Sequence, residues 1–282
     1  VFNGSSGAAA YTHEGKLRWH RSLGAGTNPW GTSASPLLFE DLVMFQADIE
    51  SQSLVALNKN SGEKVWSVST GEPDTWSTPC LAEVKGRHEL IFHHTQGDPT
   101  ARLMSVNPRN GSTWWECRVL KDYLCPSPIV VDDVCYTLAY QRGAAIRLGG
   151  ERDVTGTHVL WKMNKGTETC TPIYHDGYLY WAHQENGIVY CVNAQTGAVV
   201  YEERLLPHPG RLYASGVMAD GKIYYVSREK GAYVVAAGTR YRLLAHNTIG
   251  SDDSVFNATP AISRGKLLIR SRKYLYCIGE MR

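Results

Sequence analysis

The sequence predicts an all-β fold, a β-propeller of four-stranded antiparallel blades with about seven blades in this chain. Two observations carry the prediction. The first is a recurring hairpin. Residues 53–66 read SLVALNKNSGEKVW: an apolar run, a polar turn and a returning strand. Apolar runs bounded by Asn and Gly specify a β-hairpin. The same sentence returns at 188–201 (IVYCVNAQTGAVVY), at 102–115 (RLMSVNPRNGSTWW) and at 8–19 (AAAYTHEGKLRW), and each time an aromatic stands four residues after the turn glycine. The second is a Ser/Thr-Pro step, once Ser-Gly, that opens a short strand at Pro36, Pro79, Pro128, Pro172, Gly216 and Pro260, with spacings of 43, 49, 44, 44 and 44 residues. A unit of about 44 residues with apolar period two is the size of a propeller blade, whereas helical solenoids of similar period show apolar spacings of three and four.

Taken in order, residues 1–22 hold an incomplete blade whose opening strand is missing, so truncation at the N-terminus is expected. Blade two opens at Pro36, with strands near 37–39, 42–46, 54–58 and 64–69. Blade three opens at Pro79, with strands near 89–93, 103–107 and 113–119. Blade four opens at Pro128 and carries strands near 134–139, 144–148 and 158–163, interrupted at 149–157 by a polar stretch, GGERDVTGT, that reads as an exposed insertion. Blade five, from Pro172, is the cleanest copy. Blade six, from Gly216, departs most, with its hairpin at 232–236 and 241–245. Blade seven, from Pro260 to Cys277, gives three strands. The repeat leaves no gap for a linker, so residues 1–282 read as a single domain.

Composition narrows the partners. A net charge of +2 and a pI near 8.1 are too mild for a nucleic-acid or membrane-surface protein. No run approaches 18 apolar residues, so no transmembrane helix is expected. Seven cysteines at irregular spacing, with no C-x-x-C pair, read as small buried hydrophobes. Cys117 and Cys125 are the only close pair available for a bridge. His93 and His94 are neighbours in a strand and point to opposite faces, so they do not share a metal ion. Hydrolase, nucleotide and metalloprotease signatures are silent.

The hairpin pattern A-L-x-x-x-[ST]-G-x-x-x-W after a Ser-Pro strand, seen in LVALNKNSGEKVW, VYCVNAQTGAVVY and the closing LYCIG, resembles the pyrroloquinoline-quinone-type (PQQ-like) propeller repeat over essentially the whole chain. That family includes quinoprotein dehydrogenases and non-enzymatic members of the BamB type. The resemblance implies that Trp19, Trp66, Trp115 and Trp161, with Tyr201 in the same place, dock one blade against the next. It also implies a periplasmic, outer-membrane-associated or secreted location. Enzymatic members hold the quinone between a Trp and a disulfide of adjacent cysteines, with Ca²⁺ and an Asp base beside it. Here no two cysteines are adjacent, and Asp252-Asp253 is the acidic pair considered for that role. No cofactor, no metal and no catalytic residue are therefore expected.

Loops that enter the inner strands should share one face with the loops between second and third strands. The entering loops bring Asn28, Trp30, Asp74, Trp76, Asp122, Tyr123, Arg211 and Tyr213, and the second set brings Asp48, Glu50, His183 and Arg228. Aromatics with Arg are the composition of binding hot spots, so Trp30, Trp76, Arg211, Tyr213, His183 and Arg228 are the candidate binding residues. The expected function is a non-catalytic binding or scaffold module for a protein, peptide or glycan. The alternatives are a quinone-dependent or other small-molecule enzyme using the same mouth, and a sensor part of a larger signalling chain.

Overall fold

The computed structural model describes residues 1–71, 75–95, 101–120 and 124–279. Strands dominate. Helix among the described residues is confined to one α-turn, Asp48–Ser51, and one 3-10 turn, Gly4–Ser6. The chain divides into two compact units, Val1–Lys162 and Met163–Arg282.

The first unit begins with a two-stranded sheet, Ala8–Tyr11 and Leu17–Arg21. Blade two follows as Leu37–Phe39, Leu42–Ala47, Ser53–Asn58 and Lys64–Ser69, paired in sequence order. Blade three is Cys80–Val84, Arg87–His94, Ala101–Val106 and Thr113–Leu120, and blade four is Ile129–Val131, Val134–Ala139, Arg142–Arg147 and Val159–Met163. The second unit holds blade five (Ile173–His175, Tyr178–Ala182, Ile188–Asn193, Val199–Arg204) and blade six (Val217–Ala219, Lys222–Ser227, Gly231–Ala236, Leu243–Asn247). It ends in three-stranded blade seven (Ala261–Ser263, Lys266–Arg270, Leu275–Ile278). Every opening strand starts one residue after its anchor, where the missing proline N–H and fixed φ suit a strand entry.

The insertion at 149–157 is more than an exposed turn. Arg152–Asp153 pairs parallel to blade three beside Trp115 and Glu116, adding a fifth strand to that sheet. Val154 closes the pairing through its N–H to the Glu116 carbonyl (2.9 Å) and buries its side chain in the cluster that holds Trp115. Turn-like composition concealed the strand because only two residues pair.

Four of the turns joining first and second strands are two-residue loops with both residues at positive φ: Lys85-Gly86, Asp176-Gly177, Asp220-Gly221 and Arg264-Gly265. These primed turns match the strand twist. Apolar clusters lie between neighbouring blades as well as within them. One joins blades two and three through Met44, Leu54, Trp66, Leu90 and Phe92, and another joins blades five and six through Tyr180, Cys191, Tyr225 and Tyr233. A polar thread accompanies them. The Ser35 N–H donates to the Thr78 hydroxyl (2.9 Å), and the Thr78 N–H to the Ser127 hydroxyl (2.9 Å). In the second unit the Thr171 N–H donates to the Ser215 hydroxyl (2.9 Å) and the Ser215 N–H to the Thr259 hydroxyl (3.2 Å). These six residues are the Ser/Thr of the six anchor steps.

The aromatic of the repeated hairpin sits at a register shift. Ala56 faces Trp66 but Leu57 faces Lys64, and Cys191 faces Tyr201 but Val192 faces Val199. The same slip occurs at Trp19 and Trp115. The extra residue bends the strand and re-aims the aromatic. Trp19 then lies over Gly62 of the next blade, where a Cβ would meet the indole at 2.7 Å, and its Nε1–H donates to the Lys59 carbonyl (2.9 Å). Trp66 repeats this over Gly111, with its Nε1–H on the Pro108 carbonyl (3.0 Å). Both glycines have positive φ, so turn and docking select the same residue.

Trp115 is fully buried and differs: its Nε1–H donates to Glu89 Oε2 (2.7 Å) of its own blade. Glu89 is buried and saturated by Arg87 (2.7 Å), the Ser105 hydroxyl and the Gly149 N–H. Trp161 is buried against Tyr136, with ring centroids 6.1 Å apart. Tyr201 meets Tyr241 edge-on at 5.8 Å. All seven cysteines, Cys117 and Cys125 included, are free thiols.

Candidate binding surface

In the first unit the surface is built on the turn Asn28-Pro29-Trp30-Gly31. Proline presets the second position, the Gly31 N–H closes onto the Asn28 carbonyl (2.8 Å), and Asn28 Oδ1 accepts the Trp30 N–H (2.9 Å). The turn is thereby locked with Trp30 at its tip, 79% exposed. Trp76 is half-buried and braces it: Nε1–H donates to the Gly31 carbonyl (2.9 Å), while the Ser33 hydroxyl donates to the Trp76 carbonyl (2.6 Å). Trp76 is thus a strut and Trp30 the presented side chain. Asp74, Asp122 and Tyr123, expected on neighbouring loops, lie outside the described residues.

Under these loops runs a buried polar network. The Gln46 amide is shared by Asp48 Oδ2 (2.9 Å), the Thr75 hydroxyl (2.8 Å) and the His93 carbonyl (3.2 Å). The His93 ring spans Ser77 (3.0 Å) and Thr137 (2.8 Å), linking blades three and four, and burial pulls its pKa down to about 3. Burial pushes the Asp48 carboxyl up to about 7, against the hydrogen bond from Gln46 and with a further push from the charge of Glu50. Glu50 is itself raised by burial. It lines a cleft of about 420 Å³ together with Phe2–Ser5, Gly26–Asn28, Gly31, Thr32 and Ile49. Sequence reasoning placed Asp48 and Glu50 on this face but missed the network. The signal was the polar ends of second strands, Gln46 and His93, inside otherwise apolar runs.

In the second unit Arg211 and Tyr213 share an entering loop. Arg211 Nη1 donates to the Tyr213 hydroxyl (2.9 Å), and the Arg228 guanidinium lies 5.2 Å from the Tyr213 ring centroid. Arg228 also donates to Asn257 Oδ1 (2.9 Å). The backbone fixes this order, with the Arg228 N–H on the Arg211 carbonyl (2.9 Å) and the Phe256 N–H on the Arg228 carbonyl (2.9 Å). His183 is buried, its Nδ1 accepts the Glu185 N–H (3.3 Å), and burial holds its pKa below the ordinary imidazole value. The exposed donor here is Arg211, with Tyr213 and Arg228 half-buried beside it.

The acidic pair Asp252-Asp253 is engaged by neighbouring side chains. Asp252 Oδ1 accepts from the Ser254 N–H and hydroxyl, and its Oδ2 from the Tyr276 hydroxyl (2.7 Å). Asp253 pairs with Lys273 (2.6 Å). Among the described residues no three His, Cys, Asp or Glu side chains converge as a metal site.

Blade order, anchor steps and docking aromatics define a β-propeller of PQQ-like repeats. The same fold is seen in the crystal structure of BamB from Moraxella catarrhalis, with a TM-score of 0.71 at 18% identity over 96% of this chain and 78% of that one. The family model described as "Outer membrane protein assembly factor BamB" matches residues 1–203, and the chain belongs to that family. The protein of that name from Yersinia pestis is 25% identical over 287 aligned residues, 96% of this chain and 67% of its own length. The one from Salmonella typhimurium is 29% identical over 115 residues, 40% of this chain, and that match spans 29% of its own length.

Proposed function

We propose that the chain is a non-catalytic scaffold that binds protein partners through the loops bearing Trp30 and Arg211. It serves the assembly of outer membrane proteins, in the periplasm at the outer membrane. Family membership supports the process and the location. The observation that carries the binding role is Trp30, a large aromatic held 79% exposed by a locked turn. A rigidly held, exposed Trp is the kind of anchor an interface uses, since Trp and Arg dominate interface energetics. Tyr213, with an Arg on its hydroxyl and another over its ring, offers a second rigid patch of the same composition. A peptide segment suits these patches better than a caged cofactor, and the engaged Asp252-Asp253 pair argues for scaffold over quinone enzyme.

The test is capture from an envelope extract by wild type, Trp30→Ala and Arg211→Glu, with folding checked by circular dichroism. Loss of at least one captured protein from each variant is the expected outcome. Equal recovery of every captured protein by both folded variants would overturn the assignment.

A further inference from the structure

The cleft beside Trp30 holds a buried carboxyl that no basic side chain among the described residues faces. Glu50 is 5% exposed, and its Oε2 has no hydrogen-bond partner. The carboxylate faces the cleft on the side of Gly4, where a Cβ would stand 3.2 Å from Oε1. The Glu50 carbonyl points elsewhere, accepting the Gly26 N–H (3.0 Å). Among the described residues no basic side chain lines the cleft, and its other polar groups, from Asn3, Ser5, Thr27, Asn28 and Thr32, are neutral. Phe2 and Ile49 supply apolar wall, and Trp30 stands in the turn whose Asn28 and Gly31 form the rim.

We propose that this cleft receives one basic side chain, lysine or arginine, from a polypeptide partner. The proposal rests on the binding-face reading above and names the chemistry of one contact. A buried carboxylate oxygen without a donor is costly, and an ammonium or guanidinium supplies charge-assisted hydrogen bonds that remove the cost. The volume accepts a four-carbon stem, whose methylenes lie along Phe2 and Ile49. Trp30, in the turn that supplies Asn28 and Gly31 to the lining, is an exposed indole of the kind that attracts a cation. Anions are rejected by the same carboxylate.

Calorimetric titration of the whole chain with N-acetyl-lysine methylamide and its arginine counterpart tests this, with the norleucine analogue as the uncharged control. The expected result is saturable binding at about millimolar strength. Glu50→Gln should weaken it about tenfold or more, and Trp30→Ala, on an exposed turn, by about threefold. Exposed Glu63→Gln should leave it unchanged. Absence of saturable binding, equal binding of norleucine, or undiminished binding by folded Glu50→Gln would overturn the proposal. Spermidine binding far more tightly than either analogue would assign the cleft to free polyamines and overturn the polypeptide assignment. Protein capture lost with Trp30→Ala while both analogues fail to bind would sink the cleft alone and leave the binding face standing.

Discussion

At the scale of single residues, the docking pairs make the sharpest expectations. Gly62 has φ +72° and lies under Trp19, so Gly62→Ala adds a Cβ where the indole already stands. It should destabilise by about 2–3 kcal/mol, combining left-handed strain with overpacking, measured by denaturant unfolding. Trp66→Ala should cost about 3–5 kcal/mol, and Trp114→Ala less. Trp114 is only half-buried, with its Nε1–H on the His88 carbonyl (3.2 Å) and Arg87 over its ring. Asp48 gives a pH signature. The fold keeps a proton on this carboxyl that the unfolded chain releases near 3.8, so its stabilisation is full below that pH and is lost as pH rises to about 7. His93 works in the opposite sense, losing stability as pH falls from the ordinary imidazole value toward about 3. Asp48→Asn isolates the first effect. Its stability relative to wild type should rise by ~2–4 kcal/mol between about pH 4 and pH 7.5, and a flat difference would contradict the buried-acid assignment.

At the scale of elements, the sequence was a good guide to where strands begin and a poor one to how they end. Anchor steps announce themselves because proline and a hydroxyl are local signals, and the six opening strands start where those steps predict. The register slip before each docking aromatic was illegible, since Val65 and Val200 look like ordinary strand residues until their exposure is known. The strand Arg152–Asp153 was hidden for another reason: it pairs with blade three from within blade four's connection, and no periodicity spans two residues. Its anchor is Val154, packed with Trp115 and Leu148 in one cluster. Val154→Ala should therefore cost about 1–2 kcal/mol despite lying in a polar loop. Stability equal to wild type would show that the added strand contributes nothing to blade three.

At the scale of the molecule, fold class was readable because a 44-residue repeat is redundant, so one degenerate copy does not erase it. The candidate site has no such redundancy. Trp30 and Arg211 could be picked out as exposed-loop chemistry, but the Glu50 cleft joins residues 2–5, 26–32 and 49–50, which nothing in the linear order connects. The bracing role of Trp76 depends on a carbonyl 45 residues away. Cofactor chemistry belongs at this scale too. With Asp252 and Asp253 engaged, addition of pyrroloquinoline quinone and Ca²⁺ should give no dye-linked alcohol oxidation and no shift in melting temperature. A melting shift with turnover would reverse the scaffold reading.

The hydroxyl thread between anchor steps carries a lesson about descent. Within each unit a blade offers a donor N–H to the blade after it and a hydroxyl acceptor to the blade before it, so the seam is directional, like links that accept any neighbour of the same pattern. A unit duplicated or deleted whole brings its own plug and socket, whereas a cut inside a blade leaves one of each unmatched. Blade six shows which half of the step the chain retains. Its proline is replaced by Gly216, where a Cβ would sit 2.8 Å from the Tyr225 ring, yet Ser215 retains the hydroxyl that takes the Thr171 N–H. The part common to all six steps is thus a hydroxyl, so Ser215→Thr should keep the denaturation midpoint where Ser215→Ala lowers it.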